Sequence, residues 1–306
     1  MAEDLEQARR TARDTYRYLR GGMVVVIVML FAAVLIDSVP TWLWQDSISA
    51  YYYTAARNVF VAALCCLGIM LIVYKGSADA EDVLLNLAGT LAFFVAFVPV
   101  DPPTTWNEMQ IVPADDERIA AINNNIGAVV IALAVAATII AFVYFADKSS
   151  RSDTTQWGNW LRLNSAIILT GFVAVFLWAP DLFRAGAHYV AAILIFAIIV
   201  GVVFFNAYLV IRQEEPDRPT RERYQRRYRT IGAMMLGSLL IAIALWAVSY
   251  FFEIEGKLWT FPLFALETAL LLEFAAYWAF QTVELWNHAD RKSLIDPQVQ
   301  CELAFC

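Results

Sequence analysis

Eight long apolar runs separated by short polar connections set the pattern of this chain. They fall at about 20–37, 57–75, 83–100, 122–146, 163–180, 188–211, 230–252 and 260–283. Each reaches or approaches the roughly 20 residues that a helix needs to cross a bilayer. The pattern predicts an all-α, polytopic integral membrane bundle of eight transmembrane helices. Residues 1–19 form a cytoplasmic N-terminal amphipathic segment, 20–283 the transmembrane domain and 284–306 a cytoplasmic C-terminal tail. No connection is long enough to fold as a domain of its own.

Basic residues test the count independently, because Lys and Arg gather on the cytoplasmic side of short loops. Eight spans with both termini cytoplasmic make 1–20, 75–82, 147–162, 212–229 and 284–306 the inner segments. These hold 18 of the 22 basic residues, leaving Arg57, Arg118, Arg184 and Lys257 outside. A missed span would scramble that parity. The first run follows five arginines, yet no small-x-small cleavage site succeeds "FAAVLIDSV", so it is expected to stay as an anchor. The inner loop "RQEEPDRPTRERYQRRYRTIG" could bind anionic lipid, but orientation alone accounts for its charge.

Local signals agree with this map. Glu6 and Arg10 are spaced to pair along an N-terminal helix. The acidic "ADDE" suits the positive N-terminal end of the fourth helix. Trp157 and Trp160 suit the head-group layer.

Composition points the same way. Hydrophobic residues make up 60% of the chain and charged residues 17%, against about 45–50% and about 25% in soluble domains. Mean hydropathy is +0.57. A net charge of −7 argues against nucleic acid as a partner and leaves membrane lipids and a small-molecule ligand. The setting this predicts is a membrane. Four cysteines build no disulfide framework, and "CELAFC" is not a prenylation signal.

The polar residues that break the pattern sit mostly at outer helix ends. The stretch "DSISAYYYTAARNVFVAAL" places Ser47, Ser49, Tyr51, Tyr53 and Arg57 at the outer boundary of the second span. Read as a helix, it sets Ser49, Tyr53 and Arg57 on one face. Asp37, Asp101, the asparagines 123–125, His188 and Glu267 lie at the same level. The inner half offers chiefly Asn86, Asn164 and Asn206. An outward-opening polar pocket accounts for this asymmetry, although tyrosine belts and helix caps put single polar residues at such ends too. Arg57, His188 and Glu267 carry more weight, since ionisable groups within spans are rare and costly. Arg57 is expected to pair with Glu267. Glu273, near the bilayer middle, costs about 2.5–3.5 kcal/mol if charged, and so should be protonated or paired. Glu267 and Glu273 are six residues apart and do not share a helix face.

The segments "SISAYYYTAARNVFVAAL", "YKG", "AGTLAFFVAFVP" and "HYVAAILIF" resemble a family of uncharacterised bacterial multi-pass membrane proteins, distantly similar to the DRAM-type (damage-regulated autophagy modulator) membrane proteins. The resemblance covers about 40–285 and implies Ser47, Ser49, Tyr51, Arg57, Pro99 and His188 as motif positions. This chain has more spans than the DRAM-type pattern.

Three functions compete. The first is a non-enzymatic protein binding a lipid or small molecule in the outer pocket. The second is a proton-coupled transporter using Glu267 and Glu273, although no span shows paired glycine or proline interruptions. The third is an intramembrane lipid hydrolase with Ser49 as nucleophile and His188 as base, a pairing that lacks an obvious activating third group. The two histidines, His188 and His288, lie at opposite membrane faces, so they cannot share a metal or a bis-histidine haem. No cofactor is expected.

Overall fold

The computed structural model describes residues 2–101, 111, 113–146, 154–214, 217–252 and 260–295. Eight helices run through them: α1 (Ala2–Ser38), α2 (Arg57–Val73), α3 (Asp79–Phe97), α4 (Asp115–Ala146), α5 (Gln156–Trp178), α6 (Pro180–Ile211), α7 (Arg218–Phe252) and α8 (Thr260–Glu284). Among the described residues there is no strand, only one isolated bridge between Gln213 and Ile295. This all-helical answer follows from the solvent: in hydrocarbon a spanning segment must satisfy its own backbone groups.

Seven helices are long and apolar enough to cross a membrane, and α2 is a shorter apolar helix of 17 residues. At 1.5 Å per residue it spans about 25 Å. It packs along α3 as the other arm of a helical hairpin. Gly68 and Gly89 meet where the two backbones cross: a Cβ at Gly68 would lie 2.7 Å from the Gly89 carbonyl oxygen.

Helices α1, α2, α3, α6, α7 and α8 pack in sequence into a closed circuit, with α8 returning to α1. One continuous hydrophobic core fills it, built around residues such as Leu30, Phe60, Leu71, Val203, Met235 and Trp278. Helices α4 and α5 sit outside this circuit against α3 and α6, over a second core of Leu91, Phe94, Ile126, Phe172 and Phe183. Their outer faces expose Ile131, Ile139, Ile140, Ile167 and Leu177, the apolar surface expected where lipid replaces water.

The two ends of the bundle meet at one face. Arg17 donates to the Trp286 carbonyl oxygen and lies over the Trp286 ring, while Arg20 donates to the carbonyl oxygens of Leu285, His288 and Ala289. An even number of crossings is thereby built into the packing. The predicted boundaries differ mainly at charged ends. The amphipathic segment 1–19 is continuous with the first span rather than a separate helix, and it carries the expected Glu6–Arg10 pair at 2.6 Å. Helix α4 opens on Asp115, Asp116 and Glu117 as expected. Trp157 and Trp160 are exposed and stacked. The outer loop around 102–110, Lys257, and the tail cysteines Cys301 and Cys306 lie outside the described residues.

Candidate functional site

The serine-tyrosine stretch is not the start of a helix. After α1 the chain turns, then re-enters the bundle as a short 3-10 turn over Ser49–Tyr53, and α2 begins only at Arg57. The register that aligned Ser49, Tyr53 and Arg57 on one α-helical face is therefore corrected: Thr54 is extended and breaks it. Irregular backbone is tolerated at membrane depth only where protein surrounds it, and Tyr51 and Tyr53 are fully buried.

Each polar group of this segment has a partner. Ser47 Oγ accepts from the Ala50 amide at 3.0 Å and so caps the turn. The Tyr51 hydroxyl bonds the Ser38 hydroxyl, a partner at the end of α1 that sequence reading missed. The Tyr53 hydroxyl donates to the Val100 carbonyl oxygen at 2.6 Å. Asp101 is exposed beyond the end of α3.

Ser49 is where the segment meets the rest of the bundle. His188 lies about two turns inside α6, and Glu267 a similar distance inside α8. His188 Nε2 is 3.1 Å from Ser49 Oγ, and its Nδ1 is 2.7 Å from the Val98 carbonyl oxygen. A carbonyl only accepts, so Nδ1 carries the proton and Nε2 accepts the serine hydrogen. The Glu267 carboxylate takes the Ser49 amide at 3.1 Å, with the hydroxyl farther away at 3.5 Å. The hydroxyl has one hydrogen, and the tautomer of His188 claims it. Three elements thus converge on one serine.

Arg57 does not join them. Its guanidinium donates to the Tyr52 hydroxyl at 2.6 Å and covers that ring at 4.2 Å, so the expected Arg57–Glu267 pair is corrected. The reason is local: Tyr52, five residues earlier in the turn, takes the guanidinium, while Glu267 is engaged by Ser49. Arg57 instead lines a cavity of about 340 Å³ with Tyr52, Asn58, Phe97 and Asn125, between the outer ends of α2, α3 and α4. Asn123 and Asn124 are exposed rather than turned into the bundle.

Glu273 accepts from Ser238 Oγ of α7 through Oε1 at 3.2 Å, whereas its buried Oε2 has no hydrogen-bond partner among the described residues. Glu267 and Glu273 therefore engage different neighbours. Among the described residues no group of three metal-ligating side chains occurs.

The sparse inner half expected from sequence is also corrected, since an extensive buried polar network lies there. Arg291, fully buried, contacts Glu284 Oε2 at 2.5 Å, donates to the Tyr228 hydroxyl at 3.1 Å and bonds Asn206. Asn206 in turn donates to Glu81 at 2.7 Å, and Glu81 accepts from the Ser77 amide. Burial works against the Arg291 charge, but the Glu284 carboxylate beside it prevails and holds the guanidinium above its ordinary range. Sequence gave little warning of this because Arg291 and Glu284 lie at the polar end of the last helix, where exposure is the default.

Fold and site together define a polytopic helical integral membrane protein with a re-entrant segment clamped beneath its outer rim. No known protein family, curated protein or solved structure matches the chain.

Proposed function

We propose that the protein binds a lipid or small molecule at its outer end, in the cavity lined by Tyr52, Arg57, Asn58 and Asn125. One observation carries this reading: a guanidinium and two amide side chains border an open cavity of about 340 Å³ at the level of the outer rim. Arg57 is oriented there by its bond to Tyr52, and Tyr52 belongs to the turn that Ser49, His188 and Glu267 anchor. An arginine in such a position favours a ligand with an anionic or strongly polar group. The test is mass spectrometry of molecules retained by the purified protein. A retained species lost from both Arg57→Ala and the cavity-filling Val61→Trp supports the reading. Retention unchanged in both variants overturns it.

A second reading is hydrolysis, favoured by the 3.1 Å approach of His188 Nε2 to Ser49 Oγ. In it Ser49 attacks an ester or amide carbonyl as its proton passes to His188, whose Nδ1–H stays on Val98; His188 returns the proton to the departing alcohol or amine, and water then cleaves the acyl group from Ser49. A fluorophosphonate probe would then label Ser49, and would fail to label Ser49→Ala or His188→Ala. Absence of labelling in the intact protein sinks it.

A further inference from the structure

The polybasic start of α7 forms one wall of a second, inner groove. Arg223, Arg226, Arg227 and Thr230 recur at i, i+3, i+4 and i+7, and so share a helix face. Together with Ile231 and with Phe280 of α8 they line a cavity of about 640 Å³ near the end of the bundle where α8 finishes. Arg227 is held over the Phe280 ring at 5.0 Å and near Tyr224 at 5.5 Å, a cation–π arrangement. Glu222 also borders the groove but is engaged by Arg218 at 2.9 Å. Among the described residues no carboxylate pairs with Arg223, Arg226 or Arg227.

Orientation in the membrane counts basic residues and does not require them on one face. These arginines share a face and overhang an apolar one. Met234 and Ile241, seven and fourteen residues after Arg227, continue the same side of α7 and are more than half exposed. The arrangement is a cationic mouth above an apolar track.

We propose that this groove holds the phosphate head group of an anionic phospholipid of the inner leaflet, with its acyl chains along Met234 and Ile241. Arg223 and Arg226 supply the charge, and Arg227 and Phe280 the wall. The site is independent of the outer cavity.

The full-length protein, purified in detergent, is titrated with phosphatidylglycerol, phosphatidylcholine or inorganic phosphate. Thermal unfolding and native mass spectrometry give the readouts. Phosphatidylglycerol should raise the melting temperature and remain bound where phosphatidylcholine does not. Arg223→Gln with Arg226→Gln should weaken it about twenty-fivefold, each surface arginine being worth about fivefold. Arg229→Gln, off the groove, should leave binding unchanged. Thr230→Trp fills the groove while keeping the arginines, and should show the same loss if the double variant fails to fold. Equal responses to the two lipids, or undiminished phosphatidylglycerol binding in either groove variant, overturn the proposal. Full stabilisation by inorganic phosphate alone overturns it too, since the ligand would then be a soluble anion.

Discussion

Ser49 illustrates how one residue joins three elements through two different atoms. Its hydroxyl belongs to His188, whereas its amide belongs to Glu267. Side-chain substitution reaches the first bond and not the second. A double-mutant cycle on thermal stability in detergent should therefore give coupling of about 0.5–3 kcal/mol for Ser49→Ala with His188→Ala. For Ser49→Ala with Glu267→Ala the two effects should add to within about 0.5 kcal/mol. Strong coupling in the second cycle would show that the hydroxyl, not the amide, is the partner of Glu267. Each single loss should cost about 1–3 kcal/mol where it strands a buried polar atom.

At the scale of elements, the hairpin of α2 and α3 depends on two glycines that let backbones touch. The side chain that Gly68→Ala adds would press on the Gly89 carbonyl, a backbone atom with no freedom to swing aside. Overpacking of this kind costs about 1–3 kcal/mol, and Gly68→Val should cost more, read as a fall in melting temperature. Gly171→Ala on α5, where nothing lies within 4 Å of the new methyl, is the control and should not destabilise. The chain after α8 is tied in by polar contact through Arg291 as well as by the buried Leu285 and Ile295. Arg291→Ala leaves Glu284 buried without its cation, and should destabilise by about 3–5 kcal/mol. Arg291→Lys should recover only part, because a single nitrogen replaces the separate guanidinium nitrogens that reach Asn206 on one side and Tyr228 and Glu284 on the other.

Across the whole molecule, the start of α1 packs against the end of α8, so both sit at the same membrane face. The distribution of basic residues predicts that this face is the cytoplasmic one. In a cysteine-free background expressed in intact cells, an impermeant thiol reagent should label Asp116→Cys and spare Asp4→Cys. Labelling at Asp4 but not at Asp116 would invert the orientation, and labelling at both would show that α1 to α3 do not make three crossings.

By itself the sequence determined the helices, their number and their approximate ends, because lipid leaves a long apolar run no other way to satisfy its backbone. Charge parity along the loops settled which ends lie together. The sequence also marked Ser49, His188 and Glu267 as out of place, since polar groups at membrane depth stand out against an apolar background. Their connection was decided only by tertiary structure. A helical reading of residues 46–64 sends Arg57 towards Glu267, whereas the turn at Ser49–Tyr53 brings Ser49 to Glu267 and His188 and leaves Arg57 on Tyr52. The inner network was hidden for the opposite reason: Arg291, Glu284 and Glu81 sit near span ends, where charge is ordinary, until the folded-back tail buries them. Sequence records where polarity is unusual, and only packing determines which groups are deprived of water together.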